Sequence, residues 1–259
     1  MPVITLTSDW IKDDYYVGAV KGRILSQCPE ARIIDLSHRI PSFNVRQAAF
    51  IVKNSYTHFP KGTVHIIGIN SSSGPELRLL GIQIEDQYFL TYDNGIYGLI
   101  FRDEPAEAVE LKMGKEALLF PELTLLADTA CHLIKGKGLK EMGKSVKNFA
   151  KTVPLRATLD DSGISGSIIY IDSYQNAITN ITRELFERVR QNRNFEILVQ
   201  SNKYRINRIN NTYGETTTGE ILAVFNSVDL LEIAINKGNA AGLLGLDTSS
   251  SVRVNFLRS

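Results

Sequence analysis

The chain has little of what usually announces a function. Its only cysteines are Cys28 and Cys131, too few for a disulfide framework or a cysteine metal cluster, a usage that fits a reducing compartment. Neither charge dominates: 29 Lys and Arg against 28 Asp and Glu leave a formal net charge of +1. A balance so near neutral lacks the broad footprint of a nucleic-acid or anionic-membrane binder, so neither partner is expected. No apolar run reaches membrane-spanning length. Met1–Thr7 leads straight into an apolar strand without the basic and then apolar pattern of a secretory leader, so a cytoplasmic location is expected. The four histidines, His38, His58, His65 and His132, are scattered, with none paired at metal-binding spacing, and no metal site is expected. A P-loop, a Gly-x-Gly-x-x-Gly turn and a Gly-x-Ser-x-Gly elbow are all missing. Cys131, on a helix after Ala130, reads as a core thiol rather than a nucleophile.

What is there is an ordinary globular composition over 259 residues, 43% apolar and 22% charged, enough for one large domain or two modest ones. Val3–Thr7 reads as a buried strand, followed by a helix over Tyr15–Ser26 and a second strand, Ala31–Leu36. Asn44 is an N-cap for a helix over Val45–Asn54, and a third strand opens at Thr63. This strand–helix alternation predicts a mainly parallel sheet with helices on its faces. Leu79–Ile84 and Gln87–Thr91 read as a hairpin turned at Glu85-Asp86, and Leu123–Ile134 as a helix.

The composition shifts across Lys151–Gly166. Beyond it, short strands are expected at Gly166–Ile171, Phe195–Gln200, Tyr204–Ile209, Glu220–Phe225, Leu230–Ile235 and Val252–Phe256, with one helix over Arg183–Arg190. Close spacing and Gly/Asn turns indicate a small barrel or sandwich. The expected organisation is an α/β domain over residues 1–155 and an all-β, barrel-like domain over 156–259.

Candidate chemistry gathers at strand ends. Gly62–Arg78, GTVHIIGINSSSGPELR, is a strand emptying at Asn70 into a serine run that includes Ser73. Ligands of α/β proteins sit beyond the carboxyl ends of strands. Asp9 follows the first strand; a carboxylate there either accepts two hydrogen bonds from a ribose diol or caps the following turn. Asp93-Asn94-Gly95 is first a turn signal. In the second half, Tyr170–Ile181, YIDSYQNAITNI, is polar for a strand and its turn. Asn176 there can read an adenine edge and Tyr174 can stack on a base, or the side chains simply hold a turn.

Several ordered segments together carry a family resemblance. TLTSDW with Asp14-Tyr15-Tyr16-Val17-Gly18 behind it, IIDLSHRIPSFNVRQAAF, FPKGTVHIIGI, YDNGIYGLI, ACHLIKGKGLKEMG, YIDSYQNAITNI and NSVDLLEIAINKGNAAGLLG resemble the S-adenosylmethionine hydroxide adenosyltransferases, relatives of the fluorinase and chlorinase. The resemblance implies an α/β domain followed by a β-barrel, and a homotrimer with the nucleoside site between subunits. It also implies S-adenosylmethionine as substrate or ligand, without another cofactor. By position, Asp9 would hold the ribose hydroxyls, Phe43 would line the ribose pocket, and Asp14 and Asp172 would face the methionine ammonium. Tyr174 and Tyr213 would sandwich adenine, Asn176 would read its edge, and Ser227 would meet the methionine carboxylate. Ser73 matches a hydroxyl found in the halide pocket of the halogenases.

The family's water-activating Asp, Arg and His positions fall here on Asn70, Leu77 and Pro121. An amide is no general base, and proline offers no side-chain hydrogen bond. The candidate catalytic residues are therefore Asn70, Arg78 one place beyond Leu77, and Glu122 beside Pro121. The implied function is attack of water at ribose C5′ to give adenosine and methionine. The alternative is an adenosyl-ligand-binding protein that has lost the chemistry.

Overall fold

The computed structural model describes residues 2–11, 13–69, 78–102, 106–114, 119–200 and 203–257. The chain divides into two compact units, Met1–Pro154 and Leu155–Ser259.

The first unit is built on a seven-stranded sheet. Its elements are β1 (Val3–Ser8), α1 (Tyr15–Gln27), β2 (Arg32–Ser37), α2 (Val45–Lys53), β3 (Val64–Gly68), β4 (Leu79–Ile84), β5 (Gln87–Tyr92), α3 (Ile96–Phe101), β6 (Glu107–Leu111), α4 (Ala127–Ile134) and β7 (Gly143–Val146). The strand order is β2-β1-β3-β5-β4-β6-β7. Every residue of β1 and β3 is buried, the polar Thr5, Thr7, Ser8 and His65 among them, as befits strands in the middle of a sheet covered on both faces. α1 buries Val17, Val20 and Ile24, and Asp14 caps its first turn. α2 buries Ala48, Ala49 and Val52, with the Asn44 side chain accepting from Gln47 N. Helices thus cover both faces and leave the strand ends open.

The expectation of a mainly parallel sheet needs correcting to a mixed one. β2, β1, β3 and β5 run parallel, whereas β4, β6 and β7 add antiparallel pairs. The cause is the two-residue link Glu85-Asp86, with Glu85 at φ 51°. So short a connection closes a hairpin and cannot carry a parallel crossover.

The second unit holds β8 (Thr158–Asp160), β9 (Gly163–Ile171), β10 (Ala177–Thr182), α5 (Arg183–Arg190), β11 (Phe195–Val199), β12 (Tyr204–Ile206), β13 (Ile209–Asn210), β14 (Ile221–Phe225), β15 (Leu230–Ile235), α6 (Ala240–Leu244) and β16 (Ser251–Phe256). Its sheet runs β12-β11-β16-β9-β10-β15-β14-β13, with β8 on β9. β12 and β13 stand at opposite ends of that order, yet only Asn207 and Arg208 separate them in the chain. The sheet must therefore curl until its two edges nearly meet, giving a nearly closed barrel. Phe186 of α5 is fully buried in the core, edge-on to Phe195 and Phe225. This unit is barrel-like but carries the helices α5 and α6.

No helix among the described residues is long and apolar enough to cross a membrane. Cys28 and Cys131 are free and buried; burial and the neighbouring Cys28 push the Cys131 thiol up to about 12, as suits a core thiol.

Candidate active site

Because β1, β2, β3 and β5 are parallel, their carboxyl ends share one edge, and Asp9, His38, Ile69 and Asp93 follow them directly. The edge is shaped by a glycine. A Cβ on Gly68, the last residue of β3, would lie 2.7 Å from the Trp10 ring and 3.1 Å from Glu122 Cγ. Only a residue without a side chain lets Trp10 and Glu122 close over the strand end.

Glu122 opens a turn of π-helical geometry, Glu122–Leu126, that leads into α4, a local widening common at functional sites. The side chain is 3% exposed. Tyr92, at the end of β5, donates its hydroxyl to Glu122 Oε1 at 2.7 Å. Burial raises the Glu122 carboxyl above its ordinary value; the Tyr92 hydrogen bond opposes that, and the charge of Asp9 adds to it. Tyr92 is raised too, first by burial and then by Glu122. A carboxyl set this way takes a proton more readily than a solvated one.

Asp9 Oδ2 accepts a 2.8 Å hydrogen bond from Phe43 N. Phe43 sits at φ 65° with its ring exposed, so Asp9 holds the backbone of the residue expected to line a ribose pocket. Asn94 donates to Ile69 O at 2.8 Å and accepts from Ile96 N, fixing the end of β3 and the start of α3. Asp14 serves as the α1 cap, accepting from Tyr15 N at 2.7 Å. Asn70 and Ser73, like Leu77, lie outside the described residues.

Arg78 is engaged elsewhere. Its guanidinium reaches Asp93 Oδ2 at 2.7 Å, Glu110 Oε2 at 3.1 Å and Asn148 O at 3.4 Å, while Asp93 Oδ1 accepts from Ala150 N. These contacts tie β4, β5, β6 and the segment at 148–150 together. No hydrogen bond or ion pair joins Arg78 to Glu122 among the described residues.

The second unit gathers another polar cluster. Asp172 Oδ1 accepts from Tyr174 N and Asn176 N, and its Oδ2 from Asn176 Nδ2 at 3.2 Å. Tyr213 donates its hydroxyl to Glu232 Oε1 at 2.8 Å, and Asn226 Nδ2 donates to Glu232 Oε2 at 3.1 Å. Glu232 is 2% exposed; burial raises its carboxyl, and the charge of Asp172 adds. Tyr174 stands out at 79% exposed, and Ser227 occupies an exposed turn held by Asn226 Oδ1. Asp172, Asn176 and Tyr213 therefore share a cluster. Sequence reasoning missed its centre, although a lone carboxylate in the apolar run Leu230–Ile235 was a usable signal. It also passed over Trp10, Tyr92 and His38.

Among the described residues, no group of three or more His, Cys, Asp or Glu could hold a metal ion. The chain matches the family model for the SAM hydroxide adenosyltransferase N-terminal domain over residues 4–143 and that for its C-terminal domain over 166–253. It belongs to the SAM hydroxide adenosyltransferase family. The (R)-S-adenosyl-L-methionine hydrolase of Methanocaldococcus jannaschii is 25% identical, over 99% of this chain and 97% of its own length. The enzyme of the same name from Thermus thermophilus is 27% identical, over 98% and 100%. A fluorinase from Actinoplanes is also 27% identical, but over 72% of this chain and 74% of its own. Among solved structures, an uncharacterized conserved protein from Thermotoga maritima superposes with a TM-score of 0.88 at 24% identity, covering 97% of this chain and 99% of that one. That last likeness speaks for the fold alone.

Proposed function

We propose that this chain hydrolyses S-adenosylmethionine to adenosine and methionine. Support comes from the hydrolases it matches end to end, and one observation carries the mechanism: the buried Glu122 carboxyl, bonded by Tyr92 at 2.7 Å, packs with Trp10, the residue after Asp9, against Gly68 at the end of β3. Water attacks ribose C5′ in line, the C5′–S bond breaks, and its electron pair returns to sulfur as the thioether of methionine. One proton of the water passes to Glu122, which burial has made more basic, and then to solvent. The sulfonium is already a good leaving group, so the protein's task is to orient and desolvate the water.

In this reading Asp9 accepts from the ribose diol, with Phe43 against the sugar. Asp14, together with Asp172 from the second unit of a neighbouring subunit, takes the methionine ammonium, and Ser227 of that same second unit takes its carboxylate. Tyr174 and Tyr213 stack on adenine, and Asn176 reads its edge. Asn70 and Ser73, which lie outside the described residues, keep their place in this reading from sequence alone. Arg78 holds the sheet edge instead of the water, consistent with its three partners. The binding-only alternative has less support, since the relatives matched end to end carry the hydrolase name. A homotrimer is part of the proposal, and light scattering of the purified protein would test it. Turnover in ¹⁸O-water tests the chemistry: label in the 5′-hydroxyl of adenosine supports it, and product without label refutes attack by water.

A further inference from the structure

Behind Asp9 lies a chain of buried and half-buried polar groups that the proposed chemistry does not use. It starts at Lys21 on α1, whose Nζ stands 2.6 Å from Asp35 Oδ2 near the end of β2. Asp35 Oδ1 faces His38 Nε2 at 3.1 Å. The two atoms lie within contact distance without the alignment of a hydrogen bond, and neither has another hydrogen-bond partner. His38 Nδ1 meets Ser8 Oγ at 2.6 Å, and Ser8 Oγ accepts from Trp10 N at 3.4 Å. Ser8 and His38 are 1% and 4% exposed.

Chemistry gives this chain a direction. Burial works against the charge on Asp35, but Lys21 and His38 outweigh it and hold the carboxyl below its ordinary range. A carboxylate only accepts, so the imidazole proton belongs on Nε2, facing Asp35. In a neutral imidazole Nδ1 is then a lone pair, to which the Ser8 hydroxyl donates. The oxygen of Ser8 keeps its lone pairs for Trp10 N–H. Each group then has one role, with the poorly aligned Asp35–His38 contact the weakest link of the chain.

The endpoints give the relay its use. Ser8 and Trp10 are the residues on either side of Asp9, and His38 faces both, bonding the Ser8 hydroxyl and lying near-parallel to the Trp10 ring with centroids 6.3 Å apart. Trp10 in turn packs toward Gly68, beside Glu122. We propose that Lys21, Asp35, His38 and Ser8 form a directed relay that positions Asp9 and Trp10, with His38 as the positioning residue for ligand binding at this edge. The consequence for binding rests on the adenosyl-ligand reading above; the positioning itself does not. A buried polar chain of this kind gives weak net stability but fixes a geometry, and small displacements of a binding group are costly.

Trp10 is the only tryptophan in the sequence, so its fluorescence reads the relay directly. The experiment measures acrylamide quenching of Trp10, and calorimetric binding of adenosine, in wild type, Ser8→Ala and His38→Gln. The melting transition is recorded alongside. Ser8→Ala removes one hydroxyl and keeps the test alive should His38→Gln fold poorly. The expected result is about twofold stronger quenching and about tenfold weaker adenosine binding in folded Ser8→Ala, the scale of one displaced hydrogen-bonding group. Unchanged quenching in folded Ser8→Ala overturns the relay. So does adenosine binding by folded Ser8→Ala that is as tight as that of a wild type that binds it. If the wild type binds no adenosine, the ligand reading fails, and quenching alone still decides the positioning claim.

Discussion

Tyr92 and Glu122 meet at 2.7 Å with both side chains buried, the phenol donating to the carboxylate. This bond works against burial, holding the Glu122 carboxyl lower than it would otherwise stand. If Glu122 takes the proton of water it must be ionised, so kcat/KM should rise with pH through a value above the ordinary carboxylate range. Tyr92→Phe removes the lowering interaction and should move that acid limb to higher pH. An unmoved limb would separate Glu122 from the rate.

Glu122→Gln keeps the shape and removes the base. A general base contributes on the order of 10² or more to rate, so kcat should fall by at least about that factor while KM changes little. Steady-state kinetics would check this; a rise in KM alone would make Glu122 a binding group.

Gly68→Ala places a methyl against Trp10 and Glu122 at 2.7 and 3.1 Å. Overpacking of this kind costs about 1–3 kcal/mol. Thermal denaturation should show the loss, and Trp10 emission should shift with it. A variant with wild-type melting and emission would mean that the strand end has room to spare.

Asp9→Ala should weaken adenosine binding on the order of 10- to 100-fold, the scale of charge-assisted hydrogen bonds. Calorimetry with 2′-deoxyadenosine supplies the control. The wild type should discriminate against it and Asp9→Ala should not. Equal discrimination by both would move the diol elsewhere.

His65 lies within β3, between Thr5 Oγ1 at 2.8 Å and Gln87 Oε1 at 2.7 Å, and burial lowers it to about 4. Its folded value is below the unfolded value near 6.5, so its contribution is present above that pH and is lost as pH falls toward 4. The full difference is about 3 kcal/mol. Urea denaturation at pH 7 and 4.5 should show a smaller drop for His65→Asn than for wild type. Equal drops would contradict the assignment.

Local signals made much of this architecture legible. Asn44 caps α2 where its amide implied, and α5 spans Arg183–Arg190 as its charge and apolar spacing indicated. Strands ran close to expectation where Val and Ile dominate. The sheet's direction was not legible, because the β4–β5 hairpin, which joins the sheet beside β3, looks the same in sequence whether it joins the sheet or leaves it. β6 and β7 escaped notice because EAVEL breaks its apolar residues with glutamates and GKSV has a single apolar side chain, Val146. At the site, Asp9 stood out because it follows a strand. Glu122 entered only through its place beside Pro121, and nothing in its neighbours announces burial against Tyr92. The Glu232 contacts with Tyr213 and Asn226, and the Ser8–His38 contact, depend on how turns and strand ends fold back on one another, which a linear pattern does not reveal.

The account stands or falls on turnover. Purified protein incubated with S-adenosylmethionine, and followed by chromatography, should release adenosine and methionine in equal amounts at a rate that Glu122→Gln suppresses. Binding of S-adenosylmethionine without release of either product would contradict it.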